Sequence, residues 1–215
     1  MRNTRLRAVV VLSCLICLVF GSSCQQTGRW SEEWEEKFEM FQPSDLIMDT
    51  IGIEPGMVIG EIGAGNGRFA VKVAERVGQT GKVYANDIDP KALNFMRRRC
   101  MREHITNIFI VQGEIADPCF PDGELDLVYF VNTYHEIQHP VTLMRNTIHA
   151  LKPGGCLAII EIDPAKMEGS QSHSTPEEIV ISQAEEAGYD LIRIETFLPK
   201  DNIYFFQVSN REGLY

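Results

Sequence analysis

The chain has 215 residues, 44% of them hydrophobic and 23% charged, a balance that fits a globular protein with one ordinary core and excludes a disordered or fibrous chain. Its 30 acidic residues outnumber 20 basic ones, and a net charge of -10 disfavours nucleic acid as a partner for the surface as a whole. The cluster Arg97, Arg98, Arg99 and Arg102 reads as a solvated helix face rather than a phosphate patch.

At the N-terminus Arg2, Arg5 and Arg7 precede the apolar run AVVVLSCLICLVF (8–20) and then GSSC (21–24). A basic segment, a short apolar one and small residues before Cys24 make the plan of a signal peptide over residues 1–24. The run falls short of the roughly 20 residues a spanning helix needs. A cysteine directly after the cut also resembles a bacterial lipobox, although Gly21 stands where that motif usually has leucine. The expectation is export to the periplasm or membrane anchorage through an acylated Cys24, with a cytoplasmic chain as the alternative. Cys14 and Cys17 fall in the leader, and Cys100, Cys119 and Cys156 lack CxxC spacing or a nearby histidine pair. They are expected as small buried hydrophobes, with neither a disulfide framework nor a metal site.

Residues 25–50 form a helical lead-in. Trp30, Trp34, Phe38 and Phe41 recur at helical spacing and predict one packed face, and Pro43-Ser44 opens a second short helix. From 51 to 209 strand and helix alternate, leaving 210–215 as a tail. MVIGEI (57–62), KVYANDI (82–88), NIFIVQ (107–112), LDLVYFVN (125–132) and CLAIIEID (156–163) read as strands. Helices are expected over 67–78, 90–103 and 140–152, and a last one from Thr175-Pro176-Glu177-Glu178, with Thr175 as N-cap, to Gly188. The strands DLIRIETF (190–197) and NIYFFQVS (202–209) are joined by too few residues for a crossover helix and must be antiparallel. The fold class is therefore α/β, a doubly wound, mostly parallel seven-stranded sheet with one antiparallel strand, which binds ligands beyond the carboxyl ends of its strands.

The stretch GEIGAGNGRFA (60–70) lies at such an end. A dinucleotide fingerprint GxGxxG requires glycine where Arg68 stands, so that reading fails on spacing. The stretch matches ExGxGxG, led by Glu61, and on this motif residues from about Phe41 to Ser209 resemble the Rossmann-like, class I S-adenosylmethionine (SAM) methyltransferases. The resemblance implies SAM as cofactor, held by Glu61, Gly63, Ala64, Gly65 and Gly67 at the loop, by Asp87 and Ile88 at the ribose, by Glu114 and the Ile115 backbone at the adenine, and by Asn132. Glycines bring backbone against ligand where a Cβ would collide, and Asp87 stands where an acid accepts from ribose hydroxyls.

The segment Asn132-Thr133-Tyr134-His135-Glu136 follows the fourth strand, beside the expected methyl group. His135 is the candidate general base, since imidazole titrates near neutrality, and Glu136 is placed to orient it or to act itself. Packing of Tyr134 and His135 over the cofactor, with Glu136 capping a turn, is the competing reading. Tyr134, Glu161 and His173 are expected to face the acceptor. The [ND]PP[FY] motif of nucleobase N-methylating enzymes is missing, and the scattered cysteines speak against arsenite methylation. The resemblance is nearest to the type 11, quinone-methyltransferase-like group and implies methyl transfer to O, N or C of a small or lipid-like molecule. The rival is an exported, non-catalytic protein of the same fold that binds SAM, a nucleoside or a lipid.

Overall fold

A computed structural model describes residues 32–167 and 173–210. The leader, Cys24 and Trp30 lie outside them. Two helices, α1 (Glu32–Phe41) and α2 (Ser44–Thr50), precede β1 (Val58–Ile62), α3 (Ala70–Val77), β2 (Lys82–Asp87), α4 (Pro90–Arg102), β3 (Ile108–Gln112) and β4 (Leu125–Val131). The second half comprises α5 (Pro140–Ala150), β5 (Leu151–Ile162), α6 (Glu177–Ala187), β6 (Tyr189–Glu195) and β7 (Asp201–Val208), with short 3-10 turns at Tyr134–Glu136 and Pro164–Lys166.

The seven strands run in the order β3-β2-β1-β4-β5-β7-β6, and β7 alone is antiparallel to its neighbours. Chain order reverses between β1 and β4, which puts the crevice of a doubly wound sheet beyond their carboxyl ends. The helices form because their apolar residues recur at helical period. In α3, Ala70, Val73, Ala74 and Val77 are buried, and Gly78, with φ 67°, stops the helix. In α4, Pro90 occupies the first turn and Asp89 caps it by accepting from the Lys91 N–H at 2.8 Å.

Two cores result. Ile47, Phe69, Val73, Leu93 and Met96 pack on one face of the sheet. Leu143, Met144, Val180, Tyr189 and Phe206 pack on the other. Every residue of β4 but Asp126 is buried, as a strand covered on both faces requires.

Several local expectations need correction. The helix from 175 begins at Glu177, and no side chain caps it. The Thr175 N–H, which Glu178 would accept in a capping box, is instead tied to the Ile162 carbonyl at 3.2 Å. The strand expected from Cys156 starts at Leu151 and absorbs the end of the preceding helix. Cys100 is buried, but Cys119 is exposed with φ 54°, a turn residue rather than a core one.

Arg99 leaves the solvated cluster. It grips Glu35 of α1 with two bonds of 2.7 and 3.1 Å, while Arg97, Arg98 and Arg102 stay exposed. Trp34 and Phe38 do pack, with ring centroids 4.3 Å apart, and the Arg68 guanidinium sits 5.0 Å from the Phe38 centroid. Phe41 is 40% exposed, with the Lys200 ammonium 4.2 Å from its ring centroid.

Candidate active site

The glycine loop leaves β1 with Gly63, Gly65 and Gly67 all left-handed, at φ 72°, 56° and 81°. Side chains resist that region, and at Gly63 a Cβ would also come within 2.3 Å of the Thr133 side chain. Around Gly65 a Cβ would meet nothing within 4 Å, so its backbone faces open space. The loop is stitched to β2. Ala64, buried, donates to the Asn86 carbonyl at 2.8 Å, and Gly65 donates to Asp87 Oδ2 at 2.8 Å. The second Asp87 oxygen accepts from the Asp89 N–H at 2.8 Å. Each carboxylate oxygen keeps a further lone pair for a ligand hydroxyl.

Glu61 lies beneath this loop, 3% exposed, and accepts from the Tyr129 hydroxyl at 2.8 Å. Burial pushes its carboxyl up to about 8 against the pull of that bond and of the Arg68 charge, and the nearby Asp87 adds to the rise. Arg68, which sequence reasoning used only as a missing glycine, is 7% exposed under Trp34, Phe38 and Phe69. It donates to Gln42 Oε1 at 3.0 Å, and Gln42 in turn donates to Asp201 at 2.8 Å. Burial pushes Asp201 up to about 6.

A cleft opens beside the loop, lined by Gly63, Asp87, Ile88, Glu114, Ile115 and Glu136 among others. Ile88 and Ile115 are 54% and 51% exposed, two apolar side chains at one cleft, which is what the faces of a planar base require. Asn86, Thr133, Ile137, Gln138 and Leu143 also line it and were not foreseen. Thr133 had a legible signal: it sits between two expected residues, and its hydroxyl reaches the Gly63 carbonyl at 3.3 Å. Asn132 is left-handed at φ 50°, and its buried Oδ1 has no hydrogen-bond partner.

The 3-10 turn Tyr134–Glu136 divides its residues. Tyr134 is 2% exposed, stacks edge-on to Phe130 and donates to Gln183 at 2.8 Å, so it faces the core rather than an acceptor. Glu161 is likewise buried, at 0% exposure, and cannot reach an acceptor. Its Oε1 lies 2.7 Å from His135 Nδ1, so the carboxylate that orients the imidazole is Glu161. Burial pushes the Glu161 carboxyl up, and the His135 contact draws it back. Glu136 is exposed towards the cleft. The His173 ring meets that of His135 edge-on at 5.5 Å. His135, Glu136 and His173 thereby offer ligand atoms within 4.8 Å of one another.

Residues 59–155, which hold the glycine loop, Asp87, Glu114 and the 3-10 turn, match the family model described as methyltransferase domain. That segment is similar to a methyltransferase domain. SAM is the cofactor such a domain takes, and the cleft fits it: the Asp87 carboxylate and the exposed apolar side chains of Ile88 and Ile115 line it together. Curated relatives of the methyltransferase domain include the ubiquinone/menaquinone biosynthesis C-methyltransferase UbiE of Ectopseudomonas mendocina, 32% identical over 117 residues, 54% of this chain and 46% of that one. UbiE of Laribacter hongkongensis is 33% identical over 119 residues, 54% and 47% of the two chains. The chain thus spans about half the length of the curated relatives it matches. A SAM-dependent methyltransferase from Aquifex aeolicus shares the fold with a TM-score of 0.74 and 21% identity, over 83% of this chain and 99% of that one.

Proposed function

We propose that this protein transfers the methyl group of SAM to a small or lipid-like acceptor. The observation that carries the reading is the left-handed glycine turn tied through the Gly65 N–H to Asp87 at the switch point of the sheet. Asp87 would accept from the ribose hydroxyls, and Glu114 would accept from the adenine amino group. Ile88 and Ile115 would flank the ring, with the Ile115 N–H directed at it. Asn132 and, when ionised, Glu61 would face the ammonium and sulfonium end.

Methyl transfer is an in-line displacement: the acceptor atom bonds to the methyl carbon as the carbon–sulfur bond breaks, and S-adenosylhomocysteine leaves. Alignment and exclusion of water supply much of the rate. A protonated acceptor must also lose its proton. His135, with Nδ1 held by Glu161, presents the Nε2 side of its ring to that task. The similar UbiE proteins are named as C-methyltransferases of ubiquinone and menaquinone biosynthesis, which favours a quinol-like acceptor here. In such a ring, loss of a hydroxyl proton makes the neighbouring carbon nucleophilic, so one base serves transfer to O or to C.

Isothermal titration with SAM and with S-adenosylhomocysteine tests the reading. Saturable binding of both, weakened by Asp87→Ala in a folded chain, is expected; no binding by the wild type overturns it. Export, with membrane attachment through Cys24, is proposed from residues 1–24 alone. Mass spectrometry of the N-terminus supports it with a chain beginning at an acylated Cys24, and an intact Met1 terminus refutes it.

A further inference from the structure

We propose that His135, Glu136 and His173 bind one divalent transition-metal ion at the acceptor side of the cofactor cleft, with Glu161 as the buried carboxylate behind His135. The inference deepens the methyltransferase reading and rests on it for its role, but not for the ion itself.

Three observations converge. First, the adjacent His135 and Glu136 and the distant His173, two imidazoles and one carboxylate, bring their ligand atoms within 4.8 Å of one another. Around a tetrahedral ion with bonds near 2.0–2.2 Å, such atoms lie about 3.3–3.6 Å apart. The remaining closure is small. Glu136 and His173 are both exposed and can make it by side-chain rotation, while His135 is held in place.

Second, that hold is of the kind metal-ligating histidines have. A carboxylate accepting from Nδ1–H fixes the tautomer, turns the Nε2 lone pair outward and raises its basicity. Glu161 meets His135 Nδ1 at 2.7 Å, and its side chain has 0% exposure. Third, the other Glu161 oxygen is buried with no hydrogen-bond partner. With that oxygen unpartnered, the carboxyl is turned wholly towards His135 and the turn that carries it, which fixes the ring from behind.

Two histidines and one carboxylate suit zinc, iron or manganese better than magnesium, and three protein ligands leave positions open. Glu136 also lines the cofactor cleft, which places those positions beside the methyl donor. A hydroxyl of the acceptor entering an open position would be oriented and made more acidic, releasing its proton to water on binding. In that state the His135 lone pair is committed to the ion, and its role as base belongs to the metal-free protein.

The test uses chelator-stripped, untagged full chain titrated with Co²⁺ under visible absorption, then with Zn²⁺ in competition. One equivalent of Co²⁺, with the bands of a four- or five-coordinate ion and displacement by Zn²⁺, is expected. His173→Ala, in an exposed loop, should weaken binding by about 10-fold or more, and Glu161→Gln, which touches no ion, by about 10–100-fold. Thermal melting reports that each variant is folded. Substoichiometric uptake by the wild type, or unchanged affinity in folded His173→Ala, overturns the site. Titration of the metal-free chain with S-adenosylhomocysteine separates the two readings. Metal uptake without nucleoside binding sustains the ion site and sinks the methyltransferase reading, whereas nucleoside binding without metal uptake does the reverse.

Discussion

Replacing Glu61 by glutamine should make the unliganded protein more stable and, at the same time, a worse binder of SAM. The carboxyl is 3% exposed and rises from 4.5 to about 8 because burial penalises its charge. Its pKa is higher in the folded than in the unfolded chain, so the folded chain keeps a proton that the unfolded chain has released. The stability attached to Glu61 is therefore complete below about 4.5 and is lost as pH rises to about 8. Each unit of pH in that window costs about 1.4 kcal/mol, or roughly 3–5 kcal/mol across it. Glutamine retains an acceptor for the Tyr129 hydroxyl and does not titrate.

Denaturant unfolding at several pH values between 5 and 8.5 should give a wild-type stability that falls relative to Glu61→Gln by about 1.4 kcal/mol per unit. Taking the difference removes the contributions of Asp201 and Glu161, whose carboxyls are also raised. Binding supplies the converse. An ammonium nearby favours the ionised carboxyl, so calorimetry at pH 7 in buffers of differing ionisation enthalpy should show release of up to one proton when SAM binds to wild type and none from Glu61 in the variant. Parallel stability curves for the two proteins would refute the buried, protonated carboxyl.

Three further outcomes follow from the same geometry. Asp87→Ala loses the bond to Gly65 as well as the proposed ribose acceptor, and S-adenosylhomocysteine affinity read by calorimetry should fall by more than about 10-fold, or ~1.4 kcal/mol. Gly65→Ala and Gly63→Ala both carry the left-handed penalty of about 1–2 kcal/mol, but only Gly63→Ala meets Thr133, so it should melt several degrees lower. Tyr134→Phe should cost about 1 kcal/mol through the lost Gln183 bond and leave S-adenosylhomocysteine affinity and turnover unchanged; loss of turnover at unaltered stability would return Tyr134 to the acceptor side.

The alternation of strands and helices was legible because apolar periodicity is a local property, and the glycine loop because left-handed turns demand glycine at fixed places. The place of Asp87 was legible too, since it closes the strand that follows the loop. What pairs with what across the sheet was not. The parallel register sets Val131 of β4 against Ile160 of β5, which brings Glu161 to the foot of the turn that carries His135. No local pattern announces that register, so Glu161 was assigned to the acceptor and the orienting role to Glu136. The burial of Tyr134 escaped for a related reason: its partner, Gln183, comes from α6, 49 residues on. Arg68 read as a failed glycine because its value lies in what covers it, Trp34 and Phe38 of α1.

The fastening of α1 bears on where the working unit of this chain ends. Glu35 accepts from Asn66 of the glycine loop at 2.9 Å and from Arg99 at 2.7 Å, Lys72 reaches Glu39 at 2.6 Å, and Gln42 links Arg68 to Asp201 at the start of β7. The loop is thus braced from both sides by residues that the family match, 59–155, leaves out. Trimming the chain to the shared segment would preserve every motif residue from Glu61 to Glu136 and discard the scaffolding that keeps the loop in shape. Similarity marks where the chemistry is inherited; the brace marks how much protein must accompany it.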